Sequence, residues 1–180
     1  AASGPTTITE VFAQNGVQAQ SGTALTISSQ TVTLSGVGIE IPASAFLVES
    51  TGLPPTPGTV NLSIKGILTK KDIILTGAPA NSAGKLIATK GCVKVSASQN
   101  SQTLRVNPAA NVYVNIPESG TLLTNLKKYY AAQISVTDTS KKWRPALDTN
   151  AITTMQDSSG NKYYHVKLDS AAWLNAGYEW

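Results

Sequence analysis

Of its 180 residues this chain has one cysteine, one histidine and one methionine, and 13% of it is charged. A lone cysteine, Cys92, excludes an intrachain disulfide. It lies in the strand-like stretch Cys92-Val-Lys-Val-Ser-Ala97, with nothing nearby in sequence to lower its pKa, and reads as a small buried apolar residue. Zinc sites draw three or four ligands from His, Cys and carboxylates, so one His and one Cys, far apart, predict no metal site. No cofactor is expected either, because no Gly-rich phosphate loop is present. No apolar run approaches the ~18 residues of a spanning helix, so no transmembrane segment is expected in this chain. No signal peptide is visible, and a lipid anchor, if one exists, would lie outside the chain.

Charge of one sign is also scarce. The formal net charge is +4, and the lysines come as separate pairs, Lys70-Lys71, Lys127-Lys128 and Lys141-Lys142. Nucleic-acid binding wants a concentrated basic face with interleaved aromatics, so no nucleic-acid partner is expected. The ten carboxylates are dispersed, and no Gly-x-Ser-x-Gly elbow accompanies the single histidine. These absences argue for a non-enzyme, with no catalytic residue assigned.

What is present is a β pattern. Ser and Thr make up roughly a fifth of the chain, and much of its polar surface must be hydroxyl and amide. Val60, Leu62 and Ile64 alternate, as do Val93, Val95 and Ala97, and Val112, Val114 and Ile116; period two predicts half-buried strands. Further strands are expected at 7–12, 24–27, 31–34, 134–136 and 162–168, and Ile73-Ile-Leu75 reads as a short apolar run among them. Pro42 must end a strand or sit at a sheet edge, since it has no donor. Gly52–Gly58 and Gly77–Gly84 are loops, and Asn100-Ser-Gln102, Asn107-Pro108 and Asp157-Ser-Ser-Gly-Asn161 are turns. Residues 122–130 have a spacing that fits a short helix, although Tyr129 onward can equally open a strand. Short strands separated by turn signals, without a βαβ rhythm, predict an all-β sandwich.

The block from Gly36 to Pro117 resembles a ZU5-type β-sandwich module. The likeness rests on Gly38-Ile-Glu-Ile-Pro-Ala-Ser-Ala-Phe46 and on Val112-Tyr-Val-Asn-Ile-Pro117. It is similar more closely to a group of bacterial surface or periplasmic proteins, often lipid-anchored, through Lys70-Lys-Asp-Ile-Ile-Leu-Thr-Gly-Ala-Pro79, Gly91-Cys-Val-Lys-Val95 and the later Trp143, Tyr163-Tyr-His165 and Trp173-Leu-Asn175. Residues 1–20 read as an N-terminal strand or linker region, and the resemblance implies a ZU5-like antiparallel β-sandwich at 21–118 and a smaller C-terminal β-rich subdomain at 119–180. It also implies an extracellular, cell-surface or periplasmic bacterial location. Some ZU5 modules cleave themselves at His-Phe-Ser; here His165 is followed by Val166, so that activity is not implied.

The expected function is therefore a structural or interaction module in adhesion, assembly or spacing, with a protein or a cell-surface glycan as partner. The candidate contact residues are the aromatics of the C-terminal stretch, Trp143, Tyr163, Trp173 and Trp180, because aromatic faces stack on sugars or anchor partners. An alternative is a carbohydrate-binding module built on those aromatics, against which stands their use as core. A further alternative is a hydrolase with a dispersed site, since triad members need not be neighbours in sequence. His165 shares a strand face with Tyr163, while Tyr164, Val166 and Leu168 share the other; a hydrogen-bonded or solvent-facing strand histidine is the simpler reading.

Overall fold

The computed structural model describes residues 16–76, 81–82, 85–131, 143–146, 152–169 and 173–179. Strand outweighs helix by 58% to 4%, making the chain all-β. In chain order the elements are β1 (Gln20–Leu25), β2 (Gln30–Leu34), β3 (Val37–Ile41), β4 (Phe46–Val48), β5 (Thr59–Ile67), α1 (Lys70–Thr76), β6 (Asn81–Ser82), β7 (Lys85–Gln99), β8 (Gln102–Val106), β9 (Tyr113–Glu118), β10 (Lys127–Ala131), β11 (Arg144–Pro145), β12 (Thr153–Gln156), β13 (Lys162–Lys167) and β14 (Trp173–Glu179).

They form two antiparallel sheets. One has five strands in the order β12-β13-β9-β3-β2. The other has nine: the path β1-β5-β7-β14-β10-β11, with β6 and β8 also on β7, and β4 on β8. Alternation sends one face of each into a shared core. The five-stranded sheet contributes Val37, Ile39 and Ile41 of β3, Val114 and Ile116 of β9, and Tyr164 and Val166 of β13. The larger sheet answers with Val60, Leu62 and Ile64 of β5, Val93 and Val95 of β7, and Leu174 and Ala176 of β14. This is a sandwich, held by apolar area removed from water on both inner faces.

The long strand β7 organises the larger sheet. Its far half pairs with β8 (Ala97 opposite Leu104) and its near half with β14 (Trp173 opposite Lys94), both along the edge that β5 leaves open. The register slips at Ala176/Gly177, which face Gly91 and Thr89 and leave Lys90 as the extra residue of a bulge. That slip reverses the alternation. Ile87 and Cys92, five apart, share one face, whereas an unbroken strand would put them on opposite faces.

The face so formed carries a second core on the outer side of the nine-stranded sheet. It comprises Ile67, Ile87, Cys92, Tyr129, Ala131, Trp143 and Trp173, with Ile73 of α1 packed on it. The apolar run Ile73-Ile-Leu75, expected among the strands, lies instead in the helix α1. Thr69 and Asp72 close a capping box. The Asp72 amide donates to Thr69 Oγ1 at 3.1 Å, and the Thr69 amide and hydroxyl donate to Asp72 Oδ2 at 3.1 and 2.7 Å. Of the two readings for 122–130, the strand one applies from Lys127 onward, where β10 pairs with β14.

The turns fall where glycine, asparagine and proline place them. Asn100 and Ser101, at φ 49° and 63°, turn β7 into β8. Asp157–Asn161 joins β12 to β13, with Gly160 at φ 84°. The expected strands at 7–12 and 134–136 lie outside the described residues. The expected break at 118/119 is not a break in the sheets. β13 lies between β9 and β12, and β14 between β7 and β10, so strands after 118 belong to both layers of one sandwich.

Candidate binding face on the five-stranded sheet

Of the four aromatics expected to form a contact surface, the three that are described do not share one exposed face. Trp143 and Trp173 are 1% and 6% exposed and fill the second core, so they offer no face to a ligand; this corrects their assignment. The cause is that the outer side of β10 and β14 is itself covered, so an aromatic pointing away from the main core still meets protein. Tyr163 is half-buried on the outer face of the five-stranded sheet, away from both tryptophans. Trp180 lies outside the described residues.

What does gather is a set of side chains on that outer face, at the positions that alternate with the buried ones. β13 supplies Tyr163, His165 and Lys167; β9 supplies Tyr113 and Asn115; β3 supplies Gly38 and Glu40. The register places His165 opposite Asn115, Asn115 opposite Gly38, and Tyr113 opposite Glu40. His165 and Tyr163 share one face, as their spacing requires, while Tyr164, Val166 and Leu168 are buried at 0–1% exposure on the other.

The polar members are mutually locked. Asn115 Nδ2 donates to Glu40 Oε1 at 2.8 Å, and Asn115 Oδ1 meets His165 Nδ1 at 2.8 Å. A carboxylate only accepts, so the amide nitrogen must face Glu40 and its oxygen must face the ring. His165 therefore carries its proton on Nδ1, and in the neutral ring Nε2 is an acceptor. The ring also stacks on Tyr113, with centroids 4.0 Å apart and planes 17° from parallel. His165 has 16% of its side chain exposed and Glu40 41%, so the array is firm at its inner end and wet at its outer end. No described hydroxyl or thiol is joined to His165, so the array lacks the nucleophile–base contact of acyl-transfer sites. Nothing in the sequence pairs Glu40, Tyr113 and Asn115 with His165; only the alternation of three separate strands, once their register is known, brings them together.

Three other polar groupings serve the fold. Glu118 Oε2 accepts from Lys90 Nζ at 2.7 Å and from the Tyr164 hydroxyl at 3.2 Å, while its Oε1 accepts from the Gly120 amide at 2.8 Å. Burial opposes its ionisation, but these donors outweigh it and hold the carboxyl below the usual range. The bulge at Lys90 is what aims that lysine across to β9. Lys128, with 2% of its side chain exposed, pairs with Asp169 at 2.7 Å and donates to the Lys167 carbonyl at 3.2 Å. Asp157 accepts from Ser159 and Asn161 within its own turn, and those bonds hold its carboxyl below the usual range. Cys92 is buried and burial pushes its thiol up, the opposite of a reactive thiol. Among the described residues no three His, Cys, Asp or Glu side chains are grouped to hold a metal ion, and no helix is long and apolar enough to cross a membrane.

A groove of about 710 Å³ crosses the outer side of β1, β5 and β7, lined by Ser21, Thr23, Asn61, Ser63, Ser96 and Ser98 among others. Next to it Lys65 and Lys94 stand opposite each other, and burial together with that repulsion pulls the Lys65 pKa down. Compared with family models, curated proteins and solved structures, the chain matches none.

Proposed function

We propose that the chain is a non-enzymatic interaction module of a secreted, cell-surface or periplasmic bacterial protein, acting in adhesion, assembly or spacing, and that it meets its partner through the outer face of the five-stranded sheet. The observation that carries this reading is the Glu40–Asn115–His165 array stacked on Tyr113. Its members are fixed by one another before any partner arrives, so recognition there costs little side-chain ordering. The ZU5-like sequence features and the two-sheet architecture support the same reading, since sandwich modules of this kind present sheet faces on a rigid core.

The test uses the purified chain on a sensor surface, challenged with isolated bacterial cell envelopes. Saturable binding is expected, falling at least about tenfold in the double variant Asn115→Ala/His165→Ala, which should still unfold in one cooperative step. In parallel, chromogenic esters, glycosides and peptides should be released no faster than in buffer. Hydrolysis above that level, abolished by one substitution, would overturn the proposal.

A further inference from the structure

We infer that the outer face of the five-stranded sheet takes a neutral saccharide. This rests on the reading of that face as the contact surface and gives it a ligand class.

The first reason is the hydrogen-bonding inventory. A sugar hydroxyl both donates and accepts, so its site needs donors and acceptors side by side. Asn115 uses one amide hydrogen on Glu40, and His165 uses Nδ1 on Asn115. Beyond those bonds the array holds Glu40 Oε2 and His165 Nε2 as acceptors, the second Asn115 amide hydrogen as a donor, and the Tyr113 hydroxyl as either. The second reason is the Tyr113–His165 stack, half-buried beside these groups. Each ring covers one face of the other, with centroids 4.0 Å apart, so the C–H edge of a pyranose would meet the face of the pair turned away from that contact. The third is charge. Glu40 and Lys167 flank Tyr113 in the register, one of each sign, so the patch favours neither a polyanion nor a polycation.

The fourth reason is the shape of the face. Gly38 stands between Thr33 and Asn115 in the register, with no side chain of its own. A Cβ there would lie 3.4 Å from Asn115 Cβ and 3.6 Å from Nδ2, so glycine leaves open the space directly against the amide. Protein interfaces deplete charge at their centres and put apolar anchors there. Here the centre is the polar array, and the exposed Met155 lies to one side of it, opposite Tyr163. The hydroxyl-lined groove on the other sheet is polar too, but its lining includes no aromatic residue to stack on.

The test is an NMR titration of the ¹⁵N-labelled full chain with maltohexaose, cellohexaose, chitohexaose and xylohexaose, each taken to about 10 mM, which covers affinities in the millimolar range. At least one is expected to move the amide resonances of Gly38, Asn115 and His165. Its affinity should fall at least about fivefold in Glu40→Gln and Tyr113→Ala and stay unchanged in Asn61→Ala, which alters the groove instead. If Tyr113→Ala does not fold, the isosteric Glu40→Gln decides. If none of the four sugars moves those amides, the saccharide inference is overturned. Envelope binding that still depends on Asn115 and His165, or amide shifts at the face that grow with protein concentration, would then leave the interaction reading standing with a protein or a second copy as the partner. Silence in both experiments would remove both.

Discussion

A carboxylate with only 12% of its side chain exposed survives as an anion when its neighbours donate to it, and Glu118 has three donors from three places in the chain. Its folded-state pKa lies below the ordinary 4.5. The stability it contributes is therefore fully present above that value and is lost as pH falls through the lower, folded-state value. Glu118→Gln keeps the size and removes the charge opposite Lys90. Urea denaturation should show the variant about 1–3 kcal/mol less stable near pH 7, with the gap to the wild type narrowing as pH falls below 4.5. A gap that stayed constant would mean the bonds, and not the charge, carry the effect. At this scale the sequence is informative about environment and poor about company. Cys92 as a buried apolar residue and His165 as a hydrogen-bonded strand histidine follow from what flanks them. That Trp143 and Trp173 are core does not, because their burial depends on Ile73, Ile87 and Tyr129 arriving from distant elements. The same holds for Glu40 and Asn115, 75 positions apart yet joined at 2.8 Å.

Elements were legible where side chains alternate and invisible where a single residue breaks the alternation. Period two located β5, the far half of β7, β9 and β13, because each has one wet and one dry face. It missed α1, whose seven residues span too few turns to show a helical period; the local sign was Thr69 with Asp72 three residues on. It also missed the bulge at Lys90, although Gly91 beside it is the kind of residue that marks one. A second close approach shows how tightly neighbouring elements are fitted. Gly66 of β5 lies under the turn between β2 and β3, where a Cβ would sit 2.7 Å from the Ser35 carbonyl oxygen and 3.0 Å from Val37 Cγ2. The Gly66 amide donates to Ser35 Oγ at 3.0 Å, and Ser35 already holds φ at 54°. Backbone cannot step aside as a side chain can, so Gly66→Ala should cost about 1–3 kcal/mol. Gly22→Ala is the matched control: its Cβ would also approach to 2.7 Å, but against the tip of Leu34, which can change rotamer. Thermal melts should place Gly66→Ala several degrees below Gly22→Ala; equal melting temperatures would show that the β2–β3 turn yields.

For the whole molecule the question is where the folding unit ends. The expectation from sequence is a sandwich at 21–118 with a smaller β-rich subdomain packed on it at 119–180. The topology argues otherwise. A chain cut at 118 would lose Tyr164, Val166, Leu168, Leu174 and Ala176 from the main core, and Tyr129, Ala131, Trp143 and Trp173 from the second. It would also turn β9 and the near half of β7, both interior strands, into open edges with unpaired backbone groups. Each large buried side chain removed from a core costs about 2–5 kcal/mol, against a total stability of about 5–15 kcal/mol for a typical domain, so these losses exceed what such a fold can spare. A fragment of residues 21–118 should therefore show no cooperative thermal transition, bind a hydrophobic dye and self-associate through its new edges, while the 180-residue chain melts in one step. A two-state melt of the fragment with native-like amide dispersion would show that residues 21–118 close their own core, and that β13 and β14 are additions to a sandwich already complete.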